Sequence, residues 1–292
     1  MTLSANALVD NKRRGVLLAF GGMLAISTDS LFIRVADAEG FDVTFWVGVF
    51  TAIVMSTVIV FHERTTPLAL VRRDGWVLLL AASLQAAMTT FFVLALKNTS
   101  VSNVVVIIAA APLFAAGFGW LWLQEKTSRR VWTAIAVSVV GILIVISGSI
   151  GGGSFGGDLL AVGAIASFSM GLVLLRRYPA TSRTMVVGLG GAIMSLVAVW
   201  PAQITGHSSQ TWLSLLAMGA VFGPLARVML STAPRFLSAA EVGLFAPVET
   251  VFASFWVFLF FGEVPIATTW AGGGIVLGAL IWGTSGPSSV AS

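Results

Sequence analysis

The sequence predicts an all-α integral membrane protein of ten transmembrane helices, arranged as two inverted five-helix repeats around a central cavity. Three observations predict it: an apolar composition, a one-sided distribution of basic residues, and a long stretch that occurs twice. Of 292 residues, 57% are hydrophobic and 10% are charged, and the mean hydropathy is +0.98. A soluble domain carries about 25% charged residues, and one this apolar would leave large adhesive patches in water. Lipid is the solvent that fits. There is no cysteine, which excludes disulfides, thiol nucleophiles and cysteine-based metal sites. The net charge of +4 lies in short clusters between apolar runs, which points to membrane topology and away from nucleic acid.

A span needs about 20 mostly apolar residues. The segments that qualify are Val16–Ala36, Thr44–Phe61, Trp76–Leu96, Asn103–Leu123, Val131–Ser149, Asp158–Arg176, Thr184–Thr205, Thr211–Thr232, Ala239–Phe261 and Ala267–Thr284. Lys12-Arg13-Arg14 precedes a run of full spanning length with no cleavage pattern, so the first segment reads as a permanent helix. With ten spans, one face takes Lys12, Arg13, Arg14, Arg64, Arg72, Arg73, Lys126, Arg129, Arg130, Arg176, Arg177, Arg183 and Arg235. The other face takes only Arg34 and Lys97, and Arg227 falls inside a span. Basic loops stay cytoplasmic, so both termini are expected inside. Trp46, Trp76, Trp132, Trp200, Trp212, Trp270 and Trp282 fall near predicted helix ends, at headgroup level.

Ser100–Trp132 matches Ser238–Trp270 at an offset of 138: Ser100, Val104, Phe114, Leu121, Glu125 and Trp132 meet Ser238, Val242, Phe252, Leu259, Glu263 and Trp270. At offset 142, Gly15, Ser27 and Arg34 meet Gly157, Ser169 and Arg176; at offset 136, Trp76 and Leu94 meet Trp212 and Leu230. One five-helix unit therefore occurs twice, and an odd helix count inverts the second copy. The expected organisation is a cytoplasmic segment 1–14, a first repeat 15–150, a Gly-rich linker 151–157, a second repeat 158–284 and a cytoplasmic tail 285–292. Inverted repeats supply two pseudo-symmetric conformations, open to either side.

With its two Glu-terminated helices, Ser100–Glu125 containing Pro112 and Ser238–Glu263 containing Pro247, each followed by a Trp-led helix, the chain resembles the EamA-like family of the drug/metabolite transporter superfamily. The resemblance covers nearly all of residues 15–284, and within the superfamily the chain looks like the aromatic amino acid/paraquat exporter branch. One departure is visible: Pro247 falls opposite Ala109, so the two prolines are about one turn out of register. The resemblance implies a multi-pass carrier of the bacterial inner membrane that exports amino acids, aromatic and other neutral, by alternating access. Other small molecules or lipophilic cations are the alternative cargo.

An ionisable group inside a span costs roughly 2.5–3.5 kcal/mol, so each needs a reason. Counted from the cytoplasmic ends at about 1.5 Å per residue, Arg227 lies about 7 Å deep, Glu249 about 15 Å and Asp29 about 20 Å. Glu249, nearest the midplane, with help from Asp29, meets a substrate ammonium or carries a proton; otherwise it is a neutral or paired carboxyl that only ties helices together. Arg227 pairs with Glu249 or holds a substrate carboxylate, or else it snorkels to the interface. Glu125 and Glu263 cap loops or gate, Glu125 through Lys126 or Arg129. Pro112, Pro224 and Pro247 kink their spans and mark a cavity wall or hinge, unless the kinks are passive. Met23, Ser27, Met88, Phe91, Asn103, Ile107, Phe168, Ser169 and Phe245 are candidate cavity-lining residues, unless they are ordinary packing. Gly219 with Gly223, and Gly274 with Gly278, read as close helix contacts.

The chain has no phosphate-loop motif, and its glycine run at 151–157 has no lysine. His62 and His207 lie in loops on opposite faces, so no metal site or catalytic dyad is expected, nor any cofactor. A membrane enzyme would need clustered Asp, His or Ser at one depth, and a passive channel would need polar rings along a helix. No such cluster is present, and both remain the disfavoured alternatives to a carrier. The expected partners are a small-molecule substrate, the lipid bilayer and, if a proton gradient drives transport, H+.

Overall fold

The computed structural model describes residues 5–146, 154–262 and 267–285, and these contain helix, turn and loop but no strand. The chain runs through α1 (Ala5–Ile26), α2 (Thr28–Ala36), α3 (Gly40–Phe61), α4 (Pro67–Asn98), α5 (Val101–Ala109), α6 (Ala111–Leu123) and α7 (Arg129–Ile146). It continues through α8 (Phe155–Arg177), α9 (Arg183–Ala198), α10 (Ser209–Leu216), a π-helical turn (Ala217–Phe222) and α11 (Gly223–Thr232). A 3-10 turn (Ala233–Arg235), α12 (Ala239–Gly243), α13 (Ala246–Phe261) and α14 (Ala267–Thr284) complete it. Among the described residues six helical stretches are long and apolar enough to cross a bilayer: Asp10–Ala36, Gly40–Phe61, Pro67–Asn98, Phe155–Arg177, Ser209–Arg235 and Ala239–Phe261. Ile107–Leu123, Arg183–Ala198 and Trp270–Thr284 are shorter apolar helices.

Serine sets several helix starts. The hydroxyls of Ser100, Ser182, Ser208 and Ser238 accept the amides of Asn103, Met185, Thr211 and Glu241. Each satisfies a donor that the first helical turn leaves without a partner. Ser238 and Glu241 close a full capping box. Gly262 ends α13 at φ 68°. Several boundaries differ from expectation: α1 begins at Ala5 and not Val16, and α4 at Pro67 and not Trp76. The seventh segment stops at Ala198, not Thr205, because Pro201 cannot continue the helix. Helix α8 begins at Phe155, so it takes in Gly156 and Gly157 of the expected linker; residues 147–153 lie outside the described region.

Gly75, at φ 56°, kinks α4 near its start, and four further apolar segments are interrupted. Ser27, Thr28 and Ser30 donate their hydroxyls back to the carbonyls of Leu24, Ala25 and Ser27, and the helix breaks at Ser27. Pro112 has no amide for the preceding turn, and the chain divides at Ala110. Pro247 acts likewise, dividing the helix at Leu244–Phe245. The third proline, Pro224, follows directly on the π-helical turn. The breaks at Ala110 and Leu244 lie 134 residues apart and the two prolines 135, both short of the offset of 138 by about one turn.

Close packing relies on missing side chains. A Cβ on Gly48 of α3 would stand 2.6 Å from the Gly191 carbonyl of α9, and one on Gly191 would stand 2.7 Å from the Gly48 carbonyl. Helices α7 and α14 approach at Gly141, where a Cβ would be 3.0 Å from the Gly272 carbonyl. Gly243 rests on the backbone of Pro112, so the α5–α6 break meets the end of α12 just before the next break. The paired glycines read from sequence behave differently: Gly219 packs on Val47 and Phe50, but Gly274 and Gly278 face open space. The largest buried apolar cluster joins α1, α4–α8 and α11–α14.

Candidate functional site

The helix ends hold one set of polar contacts. At the basic end, Arg176 of α8 donates to Glu125 at 3.0 Å and to the Pro234 carbonyl at 3.0 Å. Lys12 stands 3.8 Å from Glu241, and Arg130 donates to the Trp282 carbonyl. Glu125 therefore pairs across the bundle with Arg176, and not with its neighbours Lys126 or Arg129; it lines a polar basin with Gln124, Lys126, Arg176 and Ser238. Glu263 lies outside the described residues. At the opposite end Asp158 accepts from Thr99 at 2.7 Å and from the Asn103 amide at 3.1 and 3.2 Å. Asp42 accepts the backbone N–H of Gln203 at 2.7 Å.

The helix breaks enclose a second set. Two small pockets share the lining residues Ile26, Met88 and Arg227. One extends between α4, α8, α9 and α11 and is mostly apolar, with Leu84, Phe168, Leu172, Leu175 and Val186 beside the polar Gln85, Ser167 and Ser231. The other is lined by Asp29, Thr44, Val47, Thr89, Phe92, Met218 and Glu249. Its charged residues come from three interrupted segments: Asp29 just past the Ser27 break, Arg227 just past the π-helical turn, and Glu249 two residues past Pro247.

Arg227 is buried, at 4% exposure, and does not reach the surface of the bundle. Its closest acid is Asp29, with Nη2 3.8 Å from Oδ2, and not Glu249 alone as the sequence suggested. At that separation charges attract but no hydrogen bond forms. Asp29 Oδ1 and Arg227 Nε and Nη1 have no hydrogen-bond partner within the described protein. Burying such groups half-satisfied costs several kcal/mol. Two carboxyls and a guanidinium in a mostly apolar cavity can engage a cation and a carboxylate at once. Among the described residues no group of His, Asp and Glu is arranged to hold a metal ion.

The other candidate residues divide. Met88 and Phe168 line the cavity. Met23 and Phe245 are core residues at 2% and 1% exposure, and Ile107 packs against the same core. Phe91 lies against Gly163 of α8. Ser27 accepts the Trp256 indole N–H at 2.8 Å, fastening the α1–α2 break to α13. Ser169 donates to the Ala111 carbonyl beside Pro112 at 3.1 Å, and Asn103 is bound to Asp158. Pro112, Pro224 and Pro247 are all buried. Sequence reasoning missed Gln85 and Thr89 of α4, one helical turn apart and both on the cavity wall. A polar pair at helical spacing inside an apolar span was the available signal.

The EamA-like transporter family model matches residues 13–147 and again 155–285. The pseudopaline exporter CntI of two Pseudomonas aeruginosa strains is 27% identical over 286 residues, covering 94% of this chain and 97% of that protein. Human solute carrier family 35 member G1 is 24% identical over 272 residues, covering 85% of this chain and 72% of its own. A chain from a solved crystal structure superposes with a TM-score of 0.80 at 16% identity, over 95% of this chain and 99% of its own. At that identity the likeness is one of fold alone.

Proposed function

This chain belongs to the EamA-like transporter family, and on that premise we propose that it is a secondary carrier that exports amino acids or their small derivatives from the cytoplasm by alternating access. In this reading ten helices cross the bacterial inner membrane as two inverted five-helix repeats, with both termini inside. The offset of 138 between the Glu-terminated helices and the one-sided basic loops support it. A substrate or proton gradient drives the cycle. The breaks at Pro112, Pro224 and Pro247 are the hinges, and Arg176 with Glu125 closes the basic end.

One observation carries the proposal. Asp29, Arg227 and Glu249 border a cavity whose other lobe is apolar, and three of their polar atoms have no hydrogen-bond partner among the described residues. A zwitterionic head binds at the charges, with its carboxylate on Arg227 and its ammonium on Asp29 or Glu249. An apolar side chain occupies the lobe of Met88 and Phe168. Two acids against one guanidinium also favour a second cargo, a cationic small molecule.

Counterflow in proteoliposomes tests this with L-phenylalanine, pseudopaline and tetraphenylphosphonium as separate probes. L-phenylalanine is the expected cargo. Glu249→Gln is expected to lower its initial rate at least about tenfold, as loss of a charge-assisted bond of roughly 1.5–3 kcal/mol requires. An unchanged rate and unchanged pH dependence remove Glu249 from the mechanism. Exchange of tetraphenylphosphonium alone replaces the amino acid with a cation.

A further inference from the structure

The position of Arg227 poses a physical problem. Its guanidinium must stay deep in the cavity beside Asp29, yet a long flexible side chain in an apolar span is free to turn towards an interface. Helical side chains lean towards the N-terminus, so residue 227 lies over residue 223, four positions earlier. Residue 223 is glycine. A Cβ there would collide with Arg227 Nη1 and with the Met218 carbonyl oxygen. The Met218 carbonyl is the one that accepts the Gly223 amide to close the wide turn Ala217–Phe222. Such π-helical turns shift the phase of the helix that follows and often occur at functional sites.

We propose that Gly223 is a positioning residue, whose missing side chain seats the Arg227 guanidinium at the junction of the two lobes. The neighbouring glycine plays a different part, since Gly219 meets the backbone of Val47 and lets α3 pack closely. At Gly223 the first obstruction is the arginine itself. The assignment rests on the reading of Arg227 as a substrate group and adds what holds it in place.

A double-mutant cycle separates this role from that of the π-helical turn. Gly223→Ala is made in the natural chain and in an Arg227→Lys background. A lysine ends where Arg227 Cζ now stands, 3.4 Å from the added Cβ, and so avoids the collision. The clash with the Met218 carbonyl is common to both backgrounds and cancels. KM and maximal rate are read by L-phenylalanine counterflow, and folding by the melting temperature of the detergent-purified proteins. Gly223→Ala is expected to raise KM about tenfold in the natural chain, with maximal rate retained, and less than about threefold with lysine. Gly274→Ala, which meets open space, is the control and leaves KM unchanged. Folding lost only in the arginine background also supports the assignment. Equal penalties, or folding lost in both backgrounds, overturn it. If the natural chain does not carry L-phenylalanine, the substrate reading fails on its own. The melting temperatures of the four proteins then decide: coupled shifts keep Gly223 as the seat of Arg227, and additive shifts remove it.

Discussion

The acids at the ends of the bundle and the acids at its middle are the same residue types in opposite circumstances. Asp158 accepts from two side chains, Asp42 from a backbone amide, Glu125 from Arg176, and Glu241 closes a helix cap. Each holds two elements together and is bonded in doing so. At the middle, Asp29 keeps one oxygen without a donor among the described residues, and its arginine stops at 3.8 Å. A bonded acid is a fastener. A half-bonded charge in an apolar cavity is destabilising, and in the proposed reading the cargo completes its bonds.

The contrast breaks first at the centre. Asp29→Leu combined with Arg227→Met removes both buried charges at similar volume. It is expected to leave stability unchanged or raised by about 1–4 kcal/mol, while counterflow of L-phenylalanine is lost. A large loss of stability, read from unfolding in mixed detergent, would make the pair a fastener like the others. Asp158→Ala is the counterpart at the end. It leaves Thr99 and Asn103 without their acceptor and is expected to cost about 1–3 kcal/mol, with KM unchanged. A changed KM would show that the end network also senses the cargo. The smallest effect is expected for Glu125→Gln. Arg176 keeps its bond to the Pro234 carbonyl, and the pair is partly exposed. The change is about 0.2–1 kcal/mol in stability, and a slower maximal rate with unchanged KM would assign the pair to closure of the basic end.

How much of this was legible in the residues depends on how local each feature is. The breaks at Pro112 and Pro247 follow from a missing amide and can be placed within a turn from sequence alone. The break at Ser27 had a signal too, the hydroxyl-rich run Ser27-Thr28-Asp29-Ser30, which turns back on its own carbonyls. Asp29, Arg227 and Glu249 were identifiable because a charge in an apolar span is conspicuous. Their arrangement was not. Depth counted along each helix gave about 7 Å for Arg227 and about 20 Å for Asp29, yet the two side chains meet. A count along the axis leaves out side-chain reach, and the π-helical turn before Arg227 shifts its phase. The partner of Glu125 escaped for a related reason: Arg176 is 51 residues away, and the neighbouring Lys126 and Arg129 looked sufficient.

The amino-acid sequence by itself determined residence in lipid, the apolar segments and the positions of their prolines. Those properties come from the free energy of transferring each stretch and from bonds the backbone can or cannot make within a few residues. Only the tertiary structure decided that Ser27 would bond to Trp256, that Gly48 would meet Gly191, and that Arg227 would lie over Gly223 beside Asp29. Such pairings depend on which helices lie side by side and at what rotation. A difference of an ångström there separates a hydrogen bond from an open binding group, and hydrophobic periodicity does not resolve that distance.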